Sequence, residues 1–196
     1  VVPAAPKNHA AALVDGAIAW LSGQSVLRLT GDDAVRFLHS QTTNDVQQQA
    51  PDAARWHGYC SPKGRLLATM LAWREDASIR LLLPDSIAES IRKRLTMFVL
   101  RSKVRIANEG ANFVVFGLSG AAGADALARL RLQAPAPMKI ALRGAAQAES
   151  SPDADVDPGT AETPEPTFAA IGLPPLPAGA LDETKAAVPR WLLVVP

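Results

Sequence analysis

The chain of 196 residues is 48% hydrophobic and 20% charged, enough apolar content to bury a core in one or two domains and too little charge for a chain that is disordered throughout. Its 20 basic and 19 acidic residues leave a net charge of +1, which gives no global pull toward nucleic acid or an anionic membrane and makes any charge-based function local. A single cysteine, Cys60, excludes an internal disulfide framework, and no apolar run approaches the roughly 20 residues of a membrane helix, so the expectation is a cytoplasmic protein without a membrane partner.

Taken in chain order, the opening Val1-Val-Pro-Ala-Ala-Pro-Lys7 has neither a basic leader nor a long apolar stretch. Residues 16–21 and 25–29 read as short strands joined by a hairpin turn at Ser22-Gly-Gln24. Thr30 is placed to cap a helix, with Asp32 and Asp33 in its first turn against the helix dipole and Val35, Phe37 and Leu38 on its apolar side. That helix should end before Ser40-Gln-Thr-Thr-Asn-Asp45, a loop of small polar side chains. Residues 53–59, 66–73 and 77–83 read as an antiparallel meander with turns at Ser61-Pro-Lys-Gly64 and Arg74-Glu-Asp76. Asp85 or Ser86 can cap the next helix, in which Ile87, Ile91, Leu95 and Phe98 recur on one buried stripe. Strands over 104–107 and 112–118 follow, then an Ala/Leu-rich helix over 120–132 behind Ser119.

This order predicts an α+β fold of antiparallel sheets with packed helices. The expected organisation is the first part of one domain over 1–50 and a ferredoxin-like unit over 51–143. Between residues 144 and 184 lie eight acidic residues and no Lys or Arg, with prolines at 152, 158, 164, 166, 174, 175 and 177; such a segment has few large apolar groups to offset ordering entropy, and 144–185 reads as a flexible acidic insertion. The apolar run Trp191-Leu-Leu-Val-Val-Pro196 reads as part of a strand over 186–196 that returns to the first domain. That ending, with the missing initial Met, gives the expectation of a truncated or cleaved chain.

The most informative segment is Thr30-Gly-Asp-Asp-Ala-Val-Arg-Phe-Leu-His-Ser-Gln-Thr-Thr-Asn-Asp-Val46, followed by Tyr59-Cys-Ser-Pro-Lys-Gly-Arg-Leu-Leu-Ala68. It places Gln41, Thr42, Thr43, Asn44 and Asp45 in a loop just past a helix, with Lys63 and Arg65 around a tight turn. Amide, hydroxyl and carboxylate groups crowded in one loop can hydrogen-bond a polar heterocycle, and a nearby Lys/Arg pair can bind a ligand carboxylate. Helix termination and ordinary turn chemistry would use the same residue types, and the residues alone leave both readings open.

The order strand, T-G-x-D-A-x-x-F-L, Q-x-T-N-D-V, spacer and Y-x-x-P-K-G-R-x-L-A resembles the N-terminal half of the YgfZ family, folate-binding relatives of the glycine-cleavage T-protein. Val115-Phe-Gly-Leu-Ser-Gly120 and Trp191-Leu-Leu-Val-Val-Pro196 fit the same running order, so the resemblance covers most of residues 16–131 and the final strand. It implies a tetrahydrofolate or other reduced folate held in a central channel, and iron-sulfur client proteins as partners in cluster assembly or repair. The residues that match the family motif are Gln41, Thr43, Asn44, Asp45, Tyr59, Lys63, Gly64 and Arg65; all but Gly64 are the expected folate-binding side chains.

Two departures bear on chemistry. The T-protein follows its glycine turn with a carboxylate that orients the folate and supports aminomethyl transfer, whereas here Gly64 is followed by Arg65, Leu66, Leu67 and Ala68. Without that acid the folate nitrogen lacks its electrostatic partner, so binding without transfer is expected and no catalytic residue is assigned. A folate-dependent aminomethyltransferase is the alternative. The family's K-G-C-Y-x-G-Q-E signature does not occur within these residues and would lie beyond Pro196.

The remaining candidates read as structural. Cys60 is a lone strand cysteine with no basic partner in its motif, and His57 points to the opposite face of an ideal strand. Three histidines and one cysteine show no metal-ligand spacing. Gly117-Leu-Ser-Gly-Ala121 resembles a nucleophile elbow but ends in Ala121, and Ser119 suffices as a cap. The basic run that includes Arg92, Lys93, Arg101 and Lys103 reads as a solvated face, with an anion surface for a folate tail or for RNA as the functional alternative; sparse aromatics make nucleic acid an unlikely partner. The tryptophans at 20, 56, 73 and 191 are expected mostly in the core or at interfaces.

Overall fold

The computed structural model describes residues 16–143, 168–177 and 187–196. Its strands are β1 (Ala17–Trp20), β2 (Gln24–Thr30), β3 (Ala54–Cys60), β4 (Leu66–Glu75), β5 (Ser78–Pro84), β6 (Arg105–Asn108), β7 (Val114–Ser119), β8 (Ile140–Arg143), β9 (Phe168–Leu176) and β10 (Val188–Val195). The helices are α1 (Ala34–Gln41), α2 (Asp85–Met97) and α3 (Gly120–Arg129). One five-stranded sheet has the order β3-β4-β5-β2-β6 and the other β1-β7-β10-β9-β8; every ladder in both is antiparallel.

Period-two alternation on the strands sorts the side chains into three cores. Leu27, Leu29, Met70, Ala72, Leu81 and Leu83 turn to one face of the first sheet and meet Phe37 and Leu38 of α1 and Ile91 and Leu95 of α2. Val26, Leu71, Trp73 and Leu82 turn to its other face and pack on Val115, Ile171, Leu192 and Val194 of the second sheet. The outer face of that second sheet offers Leu118, Ala170, Trp191 and Leu193 to Leu127 of α3. The layers therefore run helices, sheet, sheet, helix, the α+β arrangement of antiparallel sheets with packed helices.

Several local expectations are corrected. Strand β1 does not pair with β2: it lies against β7, Ala17 opposite Ser119 and Trp20 opposite Phe116, while β2 runs between β5 and β6. Thr30 ends β2 rather than capping α1. Asp33 holds the N-cap position without a side-chain cap bond, because its Oδ2 accepts the Lys103 N–H at 2.8 Å. Gly31 makes that clasp possible. At φ +112 a Cβ there would sit 2.0 Å from the Lys103 carbonyl oxygen, so only glycine admits the chain at 102–104. Helix α1 runs on through Ser40 and Gln41, and α2 starts at Asp85 behind Pro84 with no side-chain cap. Phe98, expected on the buried stripe of α2, falls past its last turn and is exposed. Trp73 and Trp191 are buried as expected, but Trp20 and Trp56 are exposed.

Residues 168–176, within the stretch expected to be a flexible insertion, form β9 with Ala169, Ala170 and Ile171 buried between β8 and β10; the acidic part of that stretch lies outside the described residues. Strand β2 and helix α1, from the first 50 residues, pack with β3 to β6, whereas β7 and β8 belong to the second sheet and α3 packs on its outer face.

One polar cluster is embedded in this framework. Arg28 and Arg80 stand directly opposite on β2 and β5, where two like charges would repel. Glu109 lies between them, paired with Arg80 Nη1 and 3.7 Å from Arg28 Nη1. Glu75 holds the other side of the buried Arg80 at 3.1 and 3.3 Å, and the guanidinium lies 5.0 Å from the Phe113 ring centre. Replacing Arg80 by Ala would leave the buried Glu75 carboxylate uncompensated. Urea unfolding of Arg80→Ala should show a loss of about 3–5 kcal/mol; a loss below about 1 kcal/mol would show that the cluster is solvated rather than closed.

Candidate functional site

Strand β3 is the outer strand of its sheet, and the segment from Thr42 to Ala53 runs along it without forming a regular ladder. Thr42 makes a single bridge to Tyr59. The Thr43 N–H donates to the Gly58 carbonyl at 2.9 Å, and the Gly58 N–H donates to Thr43 Oγ1 at 2.9 Å. Asn44 donates from Nδ2 to the Trp56 carbonyl at 3.2 Å and accepts from the Asp45 N–H at 2.9 Å. Asp45 accepts the Gln48 N–H at 2.9 Å and lies 3.3 Å from His39 Nδ1. The Gln48 N–H is the main reason the Asp45 carboxyl is held below its ordinary value, with the His39 charge adding to it against a partial desolvation.

Behind this loop a fully buried histidine links three elements. Gln49 Nε2 donates to the carbonyls of Ala53 and Ala72 at 2.8 and 2.9 Å, so its Oε1 is the atom that faces His57 Nε2 at 3.3 Å. That ring nitrogen must therefore carry the hydrogen, and His57 Nδ1 lies 3.1 Å from the Thr42 hydroxyl. That hydroxyl donates its single hydrogen to the Leu38 carbonyl at 2.9 Å, at the end of α1. Burial first, and then the charge of Arg55, push the imidazole below its ordinary value, which favours the neutral ring.

The β3–β4 hairpin turns at Pro62-Lys63-Gly64. Gly64 N–H donates to the Ser61 carbonyl at 2.8 Å, Ser61 N–H to the Arg65 carbonyl at 2.8 Å, and Gly64 sits at φ +76. This is a type I turn closed by a glycine bulge, which matches the ladder shift between Tyr59 and Cys60. The end of α1, the hairpin and the end of α2 converge on a cavity of about 290 Å³ lined by Ser40, Gln41, Tyr59, Cys60, Ser61, Pro62, Arg94 and Phe98. Burial raises the Tyr59 phenol, only partly offset by the Arg94 guanidinium beside it, so the hydroxyl stays protonated and serves as a donor.

No family model matches the chain. Over 135 residues, 69% of this chain and 41% of the relative, it is 26% identical to the tRNA-modifying protein YgfZ of Vibrio vulnificus strain YJ016. Over 123 residues, 63% of this chain and 37% of the relative, it is 27% identical to the tRNA-modifying protein YgfZ of Escherichia fergusonii. The glycine cleavage system aminomethyltransferase T of Bartonella henselae superposes on 93% of this chain and 42% of its own with a TM-score of 0.66 at 13% sequence identity, which shows a shared fold. The chain is similar to YgfZ proteins. It spans about two fifths of the length of the curated YgfZ relatives it matches.

The YgfZ-type motif residues separate into three groups. Gln41 and Tyr59 line the cavity. Thr43, Asn44 and Asp45 commit side-chain atoms to the loop and to β3. Lys63 and Arg65 are exposed on the hairpin, next to the cavity-lining Ser61 and Pro62. Of the basic run, Arg92 is held by Glu89 at 2.7 and 2.9 Å, Lys93 lies 3.9 Å from Glu89, and Lys103 is 3.4 Å from Asp32; Arg101 is exposed. Arg94 from the same run reaches the cavity, a role that sequence reasoning missed because its neighbours Arg92 and Lys93 look equivalent in composition. Its position three residues past Ile91 was the available signal, since i+3 is the spacing at which helix residues share a side. Among the described residues no cluster of His, Cys, Asp and Glu could hold a metal ion, and no helix is long and apolar enough to cross a membrane.

The neutral His57 has a measurable consequence. Its folded value lies below the ordinary 6.5, so as pH falls the unfolded chain takes up the proton first and stability declines until the lowered folded value is passed. The melting temperature should drop between about pH 7.5 and pH 5.5, and His57→Gln should flatten that slope whatever its own stability. Equal slopes in the two proteins would contradict a histidine held neutral by burial. Asp45 acts only at lower pH, its contribution lost as pH falls through a value below 3.8.

Proposed function

We propose that this chain supplies one wall of a tetrahydrofolate site in a cytoplasmic, YgfZ-type accessory protein that supports iron-sulfur cluster assembly or repair on client proteins, without aminomethyl transfer. The observation that carries the reading is the cavity where the two motif segments meet, with Gln41 from one and Tyr59 from the other. Its lining fits a folate: a side-chain amide, hydroxyls and a guanidinium can hydrogen-bond polar edges and carboxylates, and Phe98 offers a ring face. Bound tetrahydrofolate would supply the one-carbon chemistry of its reduced ring; the chain's own residues bind and orient it.

The distinction from the transferase rests on the hairpin. In T-protein-type catalysis a carboxylate after the glycine turn supports transfer, and here that stretch reads Arg65-Leu-Leu-Ala68, with Ala68 buried in the helix-side core. Electrostatic support for a developing charge on the folate nitrogen needs an acid at that place. The relatives' names connect them to tRNA modification. On this chain Arg92, Lys93 and Lys103 are ion-paired, and we read the connection as indirect, through the client proteins rather than through RNA contact.

Calorimetric titration of the intact protein with tetrahydrofolate should give saturable binding. The double variant Gln41→Ala/Tyr59→Phe should weaken it at least tenfold, since each change removes a hydrogen-bonding group from a half-closed site. Wild-type protein that gives no heat, or a double variant that binds equally well, would overturn the reading. Formation of methylenetetrahydrofolate from an aminomethylated carrier protein would replace the accessory role with the transferase.

A further inference from the structure

The cavity has a chemical polarity that selects one end of a folate. Arg94 contributes a guanidinium, Tyr59 a protonated phenol, and Ser40 and Ser61 hydroxyls, while none of the lining residues is acidic. The amino-pyrimidinone edge of a pterin presents N–H donors, which a carboxylate would best receive. The glutamyl end presents carboxylates, which a guanidinium fork receives through two parallel hydrogen bonds. At about 290 Å³ the space is at the small end of ligand pockets, suited to part of a folate rather than the whole.

Arg94 stands apart from the two neighbours on its helix that are held by a carboxylate. Arg92 and Lys93 share Glu89, and among the described residues no carboxylate ion-pairs with Arg94. It lies in the last turn of α2, where a cation also complements the helix dipole; a purely structural role of that kind would not depend on the ligand. Phe98, one turn further on, is exposed at the cavity with no partner ring among the described aromatic contacts.

We propose that Arg94 receives the glutamyl carboxylate end of the folate in this cavity, with Phe98 against the aminobenzoyl ring and Tyr59 and Ser61 as further donors, so that the pterin lies outside it. This rests on the folate reading above. It makes Arg94, rather than Lys63 or Arg65, the residue that distinguishes a glutamylated ligand from one without the tail.

The test compares tetrahydrofolate with tetrahydropteroate, which lacks the glutamate, on intact wild type, Arg94→Gln and Arg94→Lys. Arg94 is exposed, so these variants keep the fold. Loss of a charge-assisted pair predicts that Arg94→Gln weakens tetrahydrofolate about 10- to 100-fold and leaves tetrahydropteroate unchanged, with Arg94→Lys between. Equal weakening of both ligands, or of neither, overturns the assignment. Should wild type bind neither folate, the folate reading itself fails, and p-aminobenzoylglutamate titrated into the same proteins decides the anion site alone. Binding lost in Arg94→Gln retains that site, and no binding removes it.

Discussion

The segment from Thr42 to Ala53 follows a sheet edge without joining it, and a buried neutral histidine is what keeps it there. An outer strand presents unpaired backbone groups that must find partners. Here Thr43 and Asn44 bond to the backbone of β3 from outside, while His57 reaches from beneath to Thr42 on one side and Gln49 on the other. Gln49 in turn ties to Ala72 on β4. The two carbonyls taken by the Gln49 amide leave its Oε1 for His57 and so fix the hydrogen on His57 Nε2. The end of α1, which brings Gln41 to the cavity, is anchored by the same threonine at Leu38. The cavity's shape is thus a consequence of polar groups that never enter it.

This alters how the recurrent motif is understood. Thr43, Asn44 and Asp45 have the chemistry to bind a heterocycle, but their visible hydrogen bonds hold a loop in place. The Thr-Gly-Asp-Asp phrase is likewise architectural: Gly31 admits the backbone of Lys103 and Asp33 bonds to it, which fixes the chain just beyond α2 and so the end of the helix that carries Arg94. A motif can mark a binding family through the residues that build its scaffold as much as through those that touch the ligand.

The elements legible in the sequence were those whose partners are local. The β3–β4–β5 meander and the Ile91–Leu95 stripe declare themselves by alternation and by helical spacing. The pairing of β1 with β7 was not legible, because Ala17 and Ser119 are 102 residues apart and period-two patterning identifies a strand without naming its neighbour. Strand β9 was hidden by composition. Its buried Ala169-Ala-Ile171 core is short, and Pro174 and Pro175 lie toward its end, where the ladder with β10 shifts register between Val188 and Arg190 and tolerates residues without an N–H. In the site, Gln41 and Tyr59 were legible from the motif, whereas Arg94 depends on which side of α2 meets the hairpin, and that is a property of the packed layers.

The central claim is that the space between Tyr59, Arg94 and Phe98 is where the ligand resides. Cys60 is the chain's single cysteine, is partly exposed and lines that space, so its alkylation by iodoacetamide reports on occupancy at one known position. Saturating tetrahydrofolate should slow the labelling of Cys60 at least tenfold, with half-protection at the concentration where binding is half complete. Labelling at the same rate with and without saturating ligand would contradict the account, because a folate bound elsewhere leaves the thiol open.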